Sequence, residues 1–296
     1  MSVISVNNLN RDYGNKRGVF DLSFEVVRGE VFGFLGPNGS GKTTTIRHLM
    51  GFLKPEKRSC FINQLDCWKD RAIIQKSLGY IPGEISFFDD MTGKEFLSFY
   101  KSYRNLKTEN KIKELVERFE LDTHGKLKRM SKGMKQKVGI VAAFMNEPEV
   151  LILDEPTSGL DPLMQNRFIE LISEEKQKGK TILMSSHMFE EVERTCDRVC
   201  IIKEGKLIAI DSVDTLKASQ VKKFIITFET EEMASDFTEK WGGNALASKN
   251  KVTLKVLQNI NDLIALLHRY TVLNINAPDQ SLEEIFLQYY GGNDND

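Results

Sequence analysis

The sequence predicts an α/β fold, with a largely parallel sheet in the first 220 residues and a smaller α+β domain after them. Three observations lead to this fold class. Apolar strand-like runs alternate with helical periods, a glycine-rich turn joins a buried strand to a helix, and the pattern changes after residue 220. Strands that alternate with helices favour a parallel sheet, since each connecting helix covers a face of it. The length of 296 residues allows two domains at roughly 150 residues each.

Hydrophobic spacing predicts the first elements in order. Short alternating strands are expected at residues 4–6 and 19–26, and the continuous apolar run at 30–35 predicts a strand buried on both faces. A helix follows the glycine-rich turn and ends before Pro55. Residues 94–119 have apolar side chains at helical spacing, so this stretch is expected to be helical.

The carboxyl half of the first domain has a similar alternation. Apolar strands are expected at 150–155 and 181–186 with a helix between them, and residues 199–210 predict a hairpin that turns at Glu204 and Gly205. We therefore expect a first domain at residues 1–220.

Residues 221–296 predict a separate small domain. The expected order is βαββαβα, with a weak strand near 244–247, so a ferredoxin-like fold is predicted. Ser281 and Glu284 form a capping box that opens the last helix. The clearest segments are the strands 224–229 and 251–256 and the helices 231–241, 260–270 and 281–290.

Composition excludes several classes of protein. Lys and Arg number 41 against 42 Asp and Glu, so the chain lacks the positive field of nucleic-acid binders and no nucleic-acid partner is expected. The four cysteines form no CxxC pair, which argues against a zinc ribbon, and buried thiols are expected. The apolar run at 138–145 is far shorter than the ~20 residues that span a bilayer. Any membrane association should therefore come through a partner.

The glycine-rich turn has the most specific pattern in the chain. Residues 36–43, GPNGSGKT, fit GxxxxGK[ST] between a strand and a helix, as a phosphate-binding loop requires. Backbone N–H groups in such a turn close around phosphate oxygens, and the helix N-terminus adds positive charge. Lys42 supplies a charge for the β- and γ-phosphates, and Thr43 a hydroxyl for Mg²⁺. The nucleotide-binding residues expected here are Gly36, Pro37, Asn38, Gly39, Ser40, Gly41, Lys42, Thr43 and Thr44.

Two adjacent carboxylates end the strand at 150–155. Such a pair at the end of an apolar strand is costly unless a cation or a proton transfer uses it. Asp154 suits the ligand shell of Mg²⁺, and Glu155 suits the polarisation of an attacking water. The alternative is a solvated strand end without chemistry.

The order of four motifs is similar to that of the ATP-binding-cassette (ABC) ATPase domain. These motifs are the phosphate-binding loop, MSKGMKQK at 130–137, LILDEPTSGLDP at 151–162 and SSH at 185–187. The resemblance extends over roughly residues 3–217. It implies an ABC-type P-loop ATPase core with a helical subdomain at about 84–145, and ATP and Mg²⁺ as cofactors.

The resemblance also implies roles for individual residues. Tyr13 matches the aromatic residue that stacks on adenine, with a plain surface aromatic as the alternative. Ser131 and Gly133 match the motif that faces the γ-phosphate bound to the opposite subunit. Asp161 matches the loop that crosses that interface, and His187 matches the histidine that contacts the γ-phosphate, so Glu155 and His187 are the expected catalytic residues.

Three positions depart from the family pattern. Gly83 stands where the family usually has a glutamine that senses Mg²⁺ and the nascent water, so Glu84 or a water would substitute. Lys132 replaces a usual glycine, and Met134 replaces the common glutamine. Residues 126–137 hold six cations, which we interpret as a solvated helix start near nucleotide phosphates rather than a nucleic-acid site.

The function implied is the ATPase subunit of a membrane transporter. A second copy would complete two head-to-tail nucleotide sites, and a separately encoded permease would hold the subunit at the cytoplasmic face of the membrane. Residues 90–100 and 281–290 resemble ATPases of the bacterial ABC-2 exporter type, which handle drugs, peptides, lipids or ions. The permease is expected to dock just after Gly83, on Ile85, Phe87 and Phe88, although these could instead pack in the helical subdomain.

Other functions fit the sequence less well. A soluble ABC protein that acts on ribosomes or DNA usually joins two cassettes or carries a long coiled coil, and neither is seen. A kinase or GTPase would leave MSKGMKQK unexplained, and no NKxD motif follows. A module that binds ATP without turnover remains open because of Gly83.

Overall fold

The structure is a computed structural model that describes residues 1–88, 90–218, 222–242, 245–256 and 260–277. It divides into two compact units, Met1–Val213 and Asp214–Asp296. No helix among the described residues combines the length and apolar character needed to cross a bilayer. All four cysteines are buried free thiols, which confirms the expectation from their spacing.

The first unit contains ten strands and seven α-helices among its described residues. The strands are β1 (Ser2–Asp12), β2 (Gly18–Val27), β3 (Val31–Leu35), β4 (Cys60–Ile62), β5 (Leu65–Asp66), β6 (Leu78–Ile81), β7 (Val150–Asp154), β8 (Thr181–Ser186), β9 (Arg198–Lys203) and β10 (Lys206–Ser212). The helices are α1 (Lys42–Leu49), α2 (Arg71–Ser77), α3 (Gly93–Tyr103), α4 (Asn110–Arg118), α5 (Lys132–Phe144), α6 (Pro162–Gln177) and α7 (Phe189–Thr195). A further helix, α8 (Val213–Ala218), lies at the division between the units.

A six-stranded sheet forms the centre of the first unit. Its order is β10-β9-β3-β8-β7-β6, and all neighbours are parallel except the hairpin pair β9 and β10. Every residue of β3, β7 and β8 is buried, because helices or a second sheet cover both faces. The predicted α/β class and the hairpin turn at Glu204 and Gly205 are confirmed.

A second, antiparallel sheet packs against the first. Its order is β2-β1-β4-β5, and one continuous apolar core joins it to the central sheet. The ring of Phe24 on β2 stacks on that of Phe32 on β3 at 5.5 Å between centroids. The alternating strands predicted at 4–6 and 19–26 are present and longer than expected.

The helical stretch at 94–119 is two helices, not one. Helix α3 begins with a capping box in which Thr92 Oγ1 accepts the Glu95 N–H and the Glu95 carboxylate accepts the Thr92 N–H. It ends at Tyr103, and the guanidinium of the following Arg104 donates to the carbonyl oxygens of Gln75 and of Leu78, the first residue of β6. Asn105 then turns the chain with a φ of 54°. Helix α4 then starts at Asn110. The helical spacing therefore predicted the helical region correctly and did not predict the break within it.

The second unit has an antiparallel sheet of order β12-β13-β11-β14 with its own apolar core. The predicted helix at 281–290, with Ser281 and Glu284, lies outside the described residues. The described elements are, in chain order, β11 (Lys222–Phe228), α9 (Glu231–Trp241), β12 (Ala245–Ser248), β13 (Lys251–Val256), α10 (Ile260–Leu267) and β14 (Val272–Asn276).

Candidate functional site

The phosphate-binding loop connects β3 to α1 at the carboxyl edge of the central sheet. Gly41 caps α1 with a φ of 107°, a conformation that suits glycine. A Cβ on Gly36 would lie 2.5 Å from the Ile202 carbonyl oxygen, so the loop packs closely on β9. Lys42 Nζ donates to the carbonyl oxygens of Gly36 and Pro37 at 2.6 and 3.1 Å. The loop therefore folds around its own lysine.

A cavity of about 510 Å³ opens beside this loop. Tyr13 is half exposed at this cavity, with the Arg11 guanidinium 5.0 Å from its ring centroid. Its ring is therefore accessible for stacking on a planar ligand. The lining residues are Tyr13, Arg17, Gly18, Asn38, Gly39, Gly41, Lys42, Thr43, Thr44 and Glu155.

Asp154 ends β7 and is almost fully buried. Ser185 Oγ on the adjacent β8 donates to Asp154 Oδ1 at 2.5 Å, while Oδ2 has no geometrically satisfactory hydrogen-bond partner among the described residues. Burial raises the pKa of Asp154, and the hydroxyls of Ser185 and Thr43 act against that rise. A buried carboxylate oxygen beside a threonine hydroxyl provides the hard oxygen ligands that Mg²⁺ prefers, so these residues fit that ion.

Glu155 follows directly and has a φ of 49°, an uncommon conformation for a residue other than glycine. Its N–H donates to the backbone oxygen and to the hydroxyl of Ser185, which fix this turn. Its carboxylate lies 3.7 Å from Lys42 Nζ and 3.4 Å from His187 Nδ1. Burial lowers the pKa of Lys42, and the nearby Glu155 and Asp154 carboxylates act against this effect. The structure thus brings the predicted lysine, glutamate and histidine together.

The residues predicted to face the opposite subunit lie elsewhere. Ser131 caps α5 by accepting the Met134 N–H, and Asp161 caps α6 by accepting the Met164 N–H. A Cβ on Gly133 would lie 2.5 Å from the Gly159 carbonyl oxygen, so the two loops pack backbone to backbone. Ser131, Gly133 and Asp161 do not line the cavity beside Lys42.

Two of the departures from the family pattern have clear structural positions. Gly83 is beside Asp154, since a Cβ there would lie 3.1 Å from Asp154 Oδ2. Lys132 Nζ donates to Ser158 Oγ at 2.7 Å and links the start of α5 to the turn after β7. Glu84 lines a cavity together with Gly83, Lys132 and Lys135.

Sequence reasoning missed two residues that support the site. Ser185 contacts both Asp154 and Glu155, and Glu191 accepts a hydrogen bond from Ser186 next to His187. Burial raises the pKa of Glu191 to about 7, against the effect of hydrogen bonds from Ser186 and Thr157. The available signal was a glutamate four residues after His187, at the start of a short helix.

Comparisons with known proteins agree with this geometry. The family profile described as ABC transporter matches residues 19–158. The uncharacterized ABC transporter ATP-binding protein YhcH of Bacillus subtilis is 32% identical to this chain, covering 98% of this chain and 96% of that protein. The bacitracin transport ATP-binding protein BcrA of Bacillus licheniformis is 33% identical, and the linearmycin resistance ATP-binding protein LnrL of Bacillus subtilis is 30% identical. Each of these last two matches covers 98% of both chains.

A solved structure of similar fold gives the same result. It is described as the ATP binding subunit of an ABC transporter, and it is 32% identical with a TM-score of 0.66. The match covers 73% of this chain and 92% of the other. The near-complete coverage by relatives above 30% identity, together with the phosphate-binding loop and its paired carboxylates, shows that the chain belongs to the ATP-binding subunits of ABC transporters and is an ATPase.

Proposed function

We propose that this chain hydrolyses ATP to drive export through a separately encoded membrane permease. The observation that supports the chemistry best is the convergence of Lys42, Glu155 and His187, with Lys42 and Glu155 lining the cavity and Asp154 buried next to Glu155. Transport is supported by the relatives, which are named for bacitracin transport and linearmycin resistance. A drug, peptide, lipid or ion is the proposed class of cargo, and the cytoplasmic face of the membrane is the proposed location.

In the proposed mechanism the phosphate-binding loop holds the phosphates with its N–H groups and with Lys42. Thr43 and Asp154 would hold Mg²⁺, which when bound neutralises phosphate charge. Glu155 polarises the attacking water, and His187, 3.4 Å from it, orients that carboxylate and contacts the γ-phosphate.

A second copy of the chain is proposed to complete each site. Ser131, Gly133 and Asp161 do not line the cavity beside Lys42, which supports the proposal that they act on the nucleotide of another subunit. A head-to-tail pair with two-fold symmetry satisfies both sites at once. Lys132, exposed beside Ser131, would then add positive charge toward the phosphates of the partner's nucleotide.

The surface proposed for the permease lies after Gly83. Phe88 is 60% exposed and makes an edge contact with Phe99 on α3, which in turn stacks on the exposed Tyr103. Phe87 is partly buried, with its ring 4.7 Å from that of Phe96. The structure therefore supports Phe88 as a docking residue and supports Phe87 as part of the helical packing.

The second unit is proposed to be a ferredoxin-like accessory domain. Its described elements run βαββαβ, and its antiparallel sheet has β11 and β13 in the centre with β12 and β14 at the edges. This arrangement is that of a split βαβ sheet.

The test of the proposed function is steady-state ATPase and ATP binding by the purified chain. Lys42→Ala should abolish ATP binding, because it removes the charge that faces the phosphates. Glu155→Gln should bind ATP normally and lose about 100-fold or more in turnover. It should also elute as an ATP-dependent dimer, since the closed pair cannot hydrolyse its nucleotide.

Glu204→Gln is the matched control for this experiment. Glu204 has the same φ of 49° as Glu155 and is exposed in the hairpin turn between β9 and β10. Its variant should keep wild-type turnover. Normal turnover by Glu155→Gln would contradict the proposed role of Glu155, and a wild-type chain that binds ATP without any turnover would favour the binding-module alternative.

A further inference from the structure

Glu191 on α7 is a buried carboxylate to which the proposed mechanism assigns no step. Its side chain is 3% exposed, and its Oε2 accepts a hydrogen bond from Ser186 Oγ at 2.5 Å. Ser186 Oγ in turn accepts the Met188 N–H at 2.9 Å. The carboxylate therefore holds the residues on both sides of His187 in one hydrogen-bond chain.

The same carboxylate also interacts with the turn after β7. Thr157, itself buried, lies beside Glu191, since both residues line one small cavity and the Thr157 hydroxyl acts to lower the pKa of the Glu191 carboxyl. Within this turn the Ser158 N–H donates to the Glu155 carbonyl oxygen at 3.1 Å. Glu191 thus contacts both segments that present the pair Glu155 and His187.

The surroundings of Glu191 contain few groups that stabilise its charge. Its Oε1 is buried without a geometrically satisfactory hydrogen-bond partner among the described residues. Burial raises its pKa to about 7, and the charge of Glu155 adds to that rise. Glu190 and Arg194 on its own helix, and the neutral Gln165 and Asn166 on α6, line the small cavity beside it. Both ionisation states are therefore populated near neutral pH.

We propose that Glu191 is a positioning residue that fixes the His187 loop to the Thr157 turn, and that its ionised form does so more strongly than its neutral form. The reason is that both partners are hydroxyl donors, and hydrogen bonds to a charged acceptor are about twice as strong as those between neutral groups. This inference rests on the proposed roles of Glu155 and His187. It assigns Glu191 no contact with the nucleotide.

The kinetic test compares Glu191→Ala and Glu191→Gln with wild type between pH 6 and 9. Glu191→Ala should lower kcat about tenfold or more with KM for ATP nearly unchanged, because the phosphate-binding loop is untouched. Glu191→Gln keeps the shape and an acceptor oxygen, so it should recover part of kcat and lose the rise in kcat through about pH 7. Glu190→Gln and Glu190→Ala, on the same helix, are the matched controls and should resemble wild type.

A second readout does not depend on turnover. Since folding raises the pKa of Glu191 from 4.5 to about 7, the folded chain binds more protons than the unfolded chain between these pH values. The free energy of unfolding from this group therefore falls as pH rises from about 4.5 to about 7. Melting temperatures of wild type should fall relative to those of Glu191→Gln over this range, while wild-type kcat rises.

Opposite trends of stability and kcat with pH would support the proposal, since a purely structural role moves both in the same direction. An unchanged pH profile in Glu191→Gln, or equal kcat in Glu191→Ala and Glu190→Ala, would overturn it. If Glu191→Ala does not fold, Glu191→Gln decides the matter. Failure of the proposed function is distinguishable, because it would appear as normal turnover in Glu155→Gln whatever the behaviour of Glu191.

Discussion

At the scale of single residues, Gly83 determines how much room there is around the Asp154 carboxylate. We expect a slow but active isolated subunit, because Thr43, Asp154, Glu155 and His187 are all present and only the usual glutamine is missing. Gly83→Ala should raise the Mg²⁺ concentration for half-maximal ATPase several-fold, since its Cβ would lie 3.1 Å from Asp154 Oδ2. A Mg²⁺ titration of the ATPase rate measures this effect.

Gly125→Ala is the control for that titration. A Cβ on Gly125 would make only an ordinary contact, 3.9 Å from Met130 Cε, so its Mg²⁺ dependence should match wild type. Glu84→Ala tests whether the neighbouring carboxylate compensates for the missing glutamine. If Gly83→Ala and Glu84→Ala both leave the rate and the Mg²⁺ dependence unchanged, this loop does not serve the catalytic site.

Local sequence was sufficient to identify some site residues and not others. Lys42 and Thr43 are part of a contiguous motif, and Asp154 and Glu155 end one strand, so their proximity to the loop could be anticipated. Ser185 could not be, because its contact depends on the parallel register that pairs Asp154 with Ser185 across two strands. Glu191 needed the short helix after His187 to turn its side chain back into the core.

At the scale of elements, the capping box of α3 is an isolated contribution to stability. Thr92→Ala should lower the free energy of unfolding by about 1 kcal/mol, because it removes a hydrogen bond that satisfies a free N–H at the start of the helix. The melting temperature measures this loss. Ser98→Ala, at an exposed position in the same helix, is the control and should change little.

The capping box also has a predicted pH dependence. Hydrogen bonds from the Thr92 N–H and hydroxyl lower the pKa of Glu95. A carboxyl whose pKa is lower in the folded chain stabilises the fold at pH values above its ordinary pKa. This contribution to the free energy of unfolding is lost as pH falls from the ordinary pKa through the lowered one. The stability difference between wild type and Thr92→Ala should therefore shrink on acidification, and a difference that grows would contradict the assignment.

Hydrophobic period predicted the presence of elements better than their ends. Strands β3, β7 and β8 were clear from apolar runs, because burial on both faces demands such residues. The break between α3 and α4 was not, since Phe96, Tyr100 and Tyr103 keep helical spacing before the turn at Asn105 and Ile112, Leu115 and Phe119 keep it again after the turn. Spacing reports which face is buried and does not report where the backbone leaves the helix.

At the scale of the whole molecule, a substitution at Phe88 can test binding of the membrane subunit without disturbing the fold. Phe88→Asp should retain melting temperature and ATP binding and should lose co-purification with the membrane subunit. Truncation of an aromatic side chain that is buried in a partner's groove commonly lowers the binding free energy by ~2 kcal/mol or more. Because the ring of Phe88 is 60% exposed, its replacement should change the free energy of unfolding little.

Phe87→Asp should behave differently from Phe88→Asp. The ring of Phe87 packs against Phe96, so an aspartate at this position should destabilise the helical packing and lower the melting temperature. If both variants fold and retain the membrane subunit, the permease docks elsewhere. If Phe88→Asp unfolds, Phe88 belongs to the core and the docking proposal for it is wrong.

The place of β3 in the middle of the central sheet has a consequence for synthesis on the ribosome. Its partners are β8 and β9, and Val31 pairs with Ile182, 151 residues later (182 minus 31). At a synthesis rate of about 5–20 residues per second, roughly 8–30 s pass between the synthesis of β3 and that of its first neighbouring strand. The β1 and β2 hairpin, by contrast, pairs locally and can form at once. The emerging chain therefore exposes an apolar strand with two open edges for about half of its translation, and this is the interval in which chaperone protection would matter most.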